Sequence, residues 1–454
     1  MQQLSLHIES KQSRVNDIDS IYSKLEDNLN ISNRESLSHY VNFQTASDNP
    51  IQRWFPYREG FSFRLVQSFI KEFNVNQTVF DPFCGSGSTL LASRLCQVNS
   101  IGIDINPLSV LIAQVENAYY DDKDIEEFKN YISELKVQNQ SNSNYKCNFH
   151  LASKIFNNDI LRALLQIKEI IINQKNVKIK NLLFIAWLSI IEKVSNIKKE
   201  GNGIKYKNRR RTNKGYISID RREWENKHFP DDKFSYVKNI LLSKLKIILH
   251  DLIYEYGSTS VLPKIIQNNS LYIDRILNTE VQFTFFSPPY CNCFDYFEIH
   301  KVELWMGDFV NDKKEINNYR SSSFRSNTNS IINKKVNYYN NMVEKLINSM
   351  DILTLWNKNI PLVIRGYFDD MYQFLKSIYL KTINNGYVGI VVGNSAYSNI
   401  IIPTDLIIAN IAQEIGFKVD KVFIIRHLTT SAQQMKHLTN SKKYLRESII
   451  WLRK

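Results

Sequence analysis

The chain has 454 residues, 43% of them hydrophobic and 12% aromatic, which is enough for a large core and excludes a disordered or fibrous class. Fifty-eight basic residues against 45 acidic ones leave a net charge of +13, a balance that suits a polyanionic partner or a scattered basic surface. The five cysteines, Cys84, Cys96, Cys147, Cys291 and Cys293, are too few and too irregular for a disulfide framework. Cys291 and Cys293 lack the spacing of a CxxC metal pair, and no stretch reaches the ~18 apolar residues of a membrane span. A soluble, cytoplasmic protein without a metal is therefore expected.

Residues 1–48 are polar and read as a lead-in with one helix over Asp17 to Asn28. From Asn49 a proline-containing aromatic approach, NPIQRWFPYREG, leads to Ser62, an N-cap candidate. An amphipathic helix follows, with Leu65, Val66, Phe69 and Ile70 on one face. Thr78 to Gly87, TVFDPFCGSG, then reads as a short strand stopped by Asp81 and Pro82, with Gly85 and Gly87 permitting a tight turn and a helix starting at Ser88. Strand, glycine turn and helix in that order make the first unit of a doubly wound α/β sheet. A second strand, IGIDINP at 101–107, places Asp104 17 positions after Gly87. An acid at roughly 20 residues' distance suits the ribose of a nucleoside-bearing cofactor. The turn has neither the three glycines of a dinucleotide fingerprint nor the lysine of a phosphate-binding loop, and alone it could be a plain connector.

After a helix over Leu108 to Ala118, the stretch 122–260 is mostly helical in period, with helices expected over Ile125 to Leu135, Ile160 to Asn173 and Ile179 to Val194. It is too long for a loop and reads as a subdomain. Within it Lys198 to Arg211, KKEGNGIKYKNRRR, carries seven basic residues and one acid, the composition of a flexible strip that meets phosphates or of a solvated face. The sheet resumes with IIQNNS at Ile265 to Ser270, and Val281 to Tyr290, VQFTFFSPPY, is a hydrophobic strand running into Ser287, Pro288, Pro289 and Tyr290. Asp308 to Lys335, with Arg320, Arg325, Lys334 and Lys335, reads as a mobile basic loop. Helices over Tyr338 to Leu353, Phe368 to Lys381 and Pro403 to Ile415, and strands over Gly386 to Gly393, Val422 to Arg426 and Ser448 to Leu452, complete the pattern.

With DPFCGSG, GIDINP and SPPY in one chain, the sequence resembles the amino-group DNA methyltransferases, which modify cytosine N4 or adenine N6 with S-adenosyl-L-methionine. The resemblance covers roughly 49–118 and 261–454. It implies a Rossmann-like class I methyltransferase sheet with a large, mainly helical insertion: a lead-in at 1–48, a catalytic domain at 49–118 and 261–454, and a DNA target-recognition region at 119–260. It places the cofactor against Asp81, Phe83, Cys84, Gly85, Gly87, Asp104 and Asn106, with Arg53, Trp54 and Phe55 closing over its methionine end. Asn268 and Asn269 stand where the family often has an acid facing the adenine ring, and Asn269 is taken as the contact. The catalytic residues implied are Ser287, Pro288, Pro289 and Tyr290. Duplex DNA would meet Lys198, Lys199, Lys205, Lys207, Arg209, Arg210, Arg211, Arg320 and Arg325, and a cognate restriction endonuclease is an implied partner.

An exocyclic amino nitrogen is a poor nucleophile because its lone pair is delocalised into the ring, so catalysis needs acceptors that hold both amino hydrogens. The resemblance assigns these to the Ser287 side chain and the Pro288 carbonyl, with Tyr290 stacked on a base turned out of the duplex. Ring-carbon methylation would instead need a nucleophilic cysteine after a proline, and no Pro-Cys pair occurs. The serine in SPPY leans, by resemblance, towards cytosine N4. The rivals are a guanine-N2 RNA methyltransferase and a catalytically silent DNA-binding subunit.

Overall fold

The structure is a computed structural model that describes residues 18–41, 48–141, 143, 145–201, 203–212, 215–257, 261–330, 335–429 and 441–454. In chain order its strands are β1 (Ile31–Asn33), β2 (Val79–Asp81) and β3 (Ser100–Asp104), followed by β4 (Ile197–Glu200), β5 (Gly203–Tyr206), β6 (Arg209–Thr212) and β7 (Gly215–Ser218). Then come β8 (Lys264–Gln267), β9 (Val281–Phe286), β10 (Thr382–Gly393), β11 (Ser395–Tyr397), β12 (Ile400–Ile402), β13 (Lys418–His427) and β14 (Arg446–Arg453).

Eight of these form one sheet in the order β1-β13-β14-β10-β9-β2-β3-β8. From β2 the chain builds outward through β3 to β8, then returns to lay β9 on the other side of β2 and β10 beyond it. These five strands are parallel, and β14 runs antiparallel to both β10 and β13. This is a doubly wound, Rossmann-like order. The reversal between β2 and β9 opens a crevice at their carboxyl ends, where open α/β sheets bind ligands. Val79 pairs with Phe283 and Phe80 with Thr284, so the glycine turn and the proline tetrapeptide leave the sheet side by side.

Alternation along the strands builds a core on each face. Val79, Phe283, Phe285, Val391, Ile449 and Trp451 point to one side, and Phe80, Phe286, Ile390, Val392, Ile450 and Leu452 to the other. The insertion's helices Asp122–Val137, Asn158–Ile172, Val177–Ile190 and Lys233–Tyr254 join the first core through Phe128, Leu164, Leu182 and Leu245. Helices Ile360–Lys381 and Thr404–Ile415 cover the second. The three helices expected in the insertion are present, but their apolar faces share one continuous core with the sheet. Among the described residues no helix is long and apolar enough to cross a membrane.

Several expectations need correction. Part of the lead-in is built into the fold: residues 18–26 are helical with Ile21, Tyr22 and Leu25 buried, the Tyr22 hydroxyl donates to the Ile401 carbonyl (2.9 Å), and β1 pairs in parallel with β13. Residues 1–17 and 42–47 lie outside the described residues. The basic strip is built into two hairpins, β4 pairing antiparallel with β5 and β6 with β7, with Gly201 and Gly215 at positive φ beside their turns. The stretch read as a mobile loop holds helix Lys313–Ser322 and a buried segment through Arg325, Ser326, Asn327 and Ser330. Lys334 lies outside the described residues.

Candidate active site

Asp81 ends β2 and accepts a hydrogen bond from the Phe83 amide (3.0 Å), starting the turn that Gly85 and Gly87 complete with φ of +50° and +90°. Both glycines are required sterically. A Cβ on Gly85 would lie 3.0 Å from the Tyr57 ring, and one on Gly87 2.8 Å from Asn117 Nδ2. Asp104, at the tip of β3, accepts from the Gly85 amide (2.9 Å) and the Asn106 amide (2.8 Å), tying the two strand tips together. Burial pushes its carboxyl up to about 6 and that of Asp81 to about 7. Asn106 is an N-cap, accepting from the Leu108 amide (3.0 Å), so its side-chain oxygen already has a structural duty.

These residues line a partly open cleft. Asp81, Phe83, Cys84, Gly85, Asp104, Asn106 and Asn269 border it, together with Ser287 and Pro289 from the tetrapeptide. Of the two asparagines left open by the sequence, Asn269 faces this cleft; its amide donates to the Ser322 carbonyl and its oxygen accepts from the Leu271 amide (2.9 Å). The far wall comes from Tyr57, Glu59, Gly60 and Phe61, and from Tyr296, Phe297, Phe324 and Asn327.

Arg53, Trp54 and Phe55 do not border the cleft. The 3-10 turn Gln52–Trp54 points into the insertion, where the fully buried Asp251 receives the Arg53 guanidinium, the Trp54 indole N–H (2.9 Å) and the Ile51 amide (3.0 Å). Phe55 is core. A buried carboxylate must be hydrogen-bonded or lose its charge, and these donors meet that need. The cleft wall begins two residues later. Tyr57 stacks on His300 with ring centroids 5.3 Å apart, and its hydroxyl lies 3.0 Å from Ser109 Oγ. Next to it Glu59 pairs with His300 Nε2 (3.1 Å), and His300 Nδ1 lies 3.4 Å from Lys199 Nζ, which is paired with Glu303 (2.8 Å). Against the upward push of burial, His300 and Lys199 hold the Glu59 carboxyl below its ordinary value.

A second cavity adjoins the first. It is bordered by Tyr290, Asn292, Phe294, Ile299, Arg58, Arg426 and Glu447, and it shares Ser287, Tyr296, Glu59, Gly60 and Phe61 with the cleft. The two meet at the Ser287 side chain, whose hydroxyl donates to the Tyr290 hydroxyl (3.3 Å); that group in turn donates to Glu447 Oε1 (2.8 Å). Burial and the Glu447 charge raise the Tyr290 phenol well above its ordinary value, keeping it a donor. Pro288 is buried behind the junction.

Residues 9–115 match the family model described as "DNA methylase". The Type II methyltransferase M.BsoBI of Geobacillus stearothermophilus is 27% identical over 445 residues, spanning 87% of this chain and 84% of that protein. The Type II methyltransferase M.AvaI of Nostoc sp. is 26% identical over 92% of this chain and 89% of its own length, and M.MjaII of Methanocaldococcus jannaschii is 48% identical over 67 residues, 14% of this chain and 13% of its own. A solved rRNA methyltransferase, aviRa of Streptomyces viridochromogenes, aligns over 88% of this chain and 87% of its own at 9% identity with a TM-score of 0.25, too low to bear on fold or function.

The resemblance implies S-adenosylmethionine, and the cleft offers residues that fit it: the tight turn at Gly85, where a Cβ would crowd the Tyr57 ring, and the Asp104 carboxylate, 19 residues on in sequence, where ribose hydroxyls are expected. The expected DNA contacts divide. Lys199 is buried against Glu303, and Lys207 Nζ donates to the Glu192 and Ser195 carbonyls (2.7 and 2.9 Å). Arg320 pairs with Asp295 and Glu298 (both 2.8 Å), and Arg325 is buried between Asp369 and Asp370 (both 2.6 Å). These four hold the fold together, because each has found an acid or carbonyl inside the protein. Arg209 and Arg210 stay exposed on β6, and Lys198 and Lys205 are exposed beside Glu200; the side chain of Arg211 lies outside the described residues.

Proposed function

We propose that the chain methylates an exocyclic amino nitrogen of a base in DNA, cytosine N4 ahead of adenine N6, as the modification enzyme of a restriction-modification system. The observation that carries the reading is the meeting of two cavities at Ser287, one with a glycine cradle and an acid, the other walled by aromatic rings. The full-length likeness to two Type II methyltransferases supports DNA as substrate and a nuclease as partner.

In this reading S-adenosylmethionine supplies an electrophilic methyl group on a sulfonium. The chain supplies the rest. Ser287 Oγ and the Pro288 carbonyl accept the two amino hydrogens, drawing the nitrogen lone pair out of conjugation. Consecutive prolines fix φ, so the acceptors do not relax away from the base. Tyr290, Phe294 and Tyr296 offer ring faces to an extruded base, each stack worth about 1–3 kcal/mol. Covalent attack by a thiol is disfavoured, since burial raises the Cys84 thiol, the one at the cleft, well above its ordinary value.

The test is to incubate the protein with methyl-labelled S-adenosylmethionine and a mixed-sequence duplex, digest to nucleosides and identify the labelled base. N4-methylcytosine or N6-methyladenine is expected; label found only with RNA overturns the assignment. Tyr290→Ala should lose turnover by about tenfold or more while cofactor affinity holds, and equal losses in both would remove the stacking role.

A further inference from the structure

The end of the second cavity is built by one row across three neighbouring strands. Gly393 of β10 is in register with Glu447 of β14, and Glu447 with Arg426 of β13. A Cβ on Gly393 would lie 2.8 Å from the Tyr290 ring, so that ring rests on bare backbone. Glu447 is 4% exposed and divides its carboxylate between two partners: Oε1 accepts from the Tyr290 hydroxyl (2.8 Å) and Oε2 from Arg426 Nε (2.7 Å). The Arg426 side chain is 36% exposed at the cavity wall. With Nε committed to Glu447, its two terminal nitrogens make no hydrogen bond to another of the described residues.

A planar fork of donors, anchored at Nε by a buried acid, matches a pair of adjacent acceptors in one plane. Consider a base whose amino group sits at Ser287. The ring atom beside the amino carbon is an acceptor in both candidates, N3 in cytosine and N1 in adenine. The next position separates them: cytosine presents the O2 carbonyl, adenine a C–H. We propose that Arg426, oriented by Glu447, hydrogen-bonds N3 and O2 of the extruded cytosine and so sets the preference for cytosine over adenine. Glu447 is then a positioning residue that fixes both the stacking ring and the guanidinium. The inference rests on the reading that the Ser287 site methylates an amino group of a DNA base.

The experiment uses two duplexes identical except for cytosine or adenine at the target position, chosen once the methylated site has been mapped on plasmid DNA. Wild type, Arg426→Gln, Arg426→Lys and Glu447→Gln are compared by kcat/KM on each, with S-adenosylmethionine affinity measured by calorimetry as the check that the sheet and cleft are intact. Arg426→Gln should lower kcat/KM on the cytosine duplex by about tenfold or more while leaving the adenine duplex little changed, since a bidentate contact to a base edge discriminates by about 1–3 kcal/mol. Arg426→Lys should recover part of the loss, and Glu447→Gln should narrow the ratio in the same direction. Equal falls on both duplexes would make Arg426 a scaffold or phosphate contact and overturn the proposal, as would an unchanged ratio or a wild type that methylates adenine alone. In that last case amino-group methylation itself stands. A wild type that labels no DNA at all fails the underlying reading instead.

Discussion

At Gly393 a single missing Cβ decides where the Tyr290 ring lies. Gly393→Ala would drive a methyl group to 2.8 Å from the Tyr290 ring, which is held at its other end by Glu447 and has little freedom to move. The expected outcome is a turnover defect of about tenfold, the rate that roughly 1.4 kcal/mol of misplacement would cost. Cofactor affinity should persist because Gly393 does not border the cleft. Steady-state kinetics beside calorimetry separates the two. Asp104 gives a pH prediction of the same scale. Its carboxyl, ordinarily at 3.8, is raised by burial to about 6, so the folded chain binds that proton more tightly than the unfolded one. It therefore contributes stability that is fully present below pH 3.8 and is lost as pH rises through about 6. A ligand that donates hydrogen bonds to the ionised carboxylate has the opposite preference. S-adenosylmethionine should accordingly bind more tightly as pH rises through about 6, and a titration series showing flat affinity from pH 5 to 8 would remove Asp104 from the cofactor site.

Among elements, charge alone does not tell a DNA contact from a strut. In the sequence Arg325 reads as a DNA contact, yet it is buried with its guanidinium on Asp369 and Asp370 of helix Ile360–Lys381. Arg325→Met leaves two buried carboxylates with backbone donors but no cation, a loss of about 3–5 kcal/mol. Denaturant unfolding should detect the loss, whereas removal of both Arg209 and Arg210 should leave stability within about 0.5 kcal/mol. Removing that exposed pair should instead weaken DNA binding and reduce its salt slope by about 2, one unit for each phosphate no longer neutralised. An unchanged slope assigns β6 to solvent. The β4–β5 hairpin does a different job, since its Lys199 enters the Glu59–His300–Glu303 cluster behind the cleft wall.

For the whole molecule, the insertion and the sheet share one buried apolar cluster. Leu164, Leu182 and Leu245 lie in the same cluster as Val79, Leu91 and Phe285, and Asp251 anchors the turn before the cleft. Joining 49–118 directly to 261–454 would expose that face of the sheet, and the product is expected to be insoluble or to lack a cooperative unfolding transition. A soluble, cooperatively unfolding truncation would show that the insertion folds apart from the sheet.

The sequence by itself determined the local chemistry: the glycine turn after β2, the acid at the tip of β3, the proline tetrapeptide after β9 and most helices, because turn residues and apolar periodicity act over a few positions. It named Ser287 and Tyr290 but gave no sign of Glu447 or Arg426, nearly 160 and 140 positions away, which enter the same cavity only because β13 and β14 are laid beside β10. It also offered Arg53 and Trp54 for the cleft, when Asp251, 198 positions after Arg53, had the stronger claim on them. A strand or a cap is fixed by its neighbours in the chain; which acid a buried cation finds, and which residues share a wall, is fixed by strand order and by the cost of leaving a charge unpaired, and those belong to the tertiary structure.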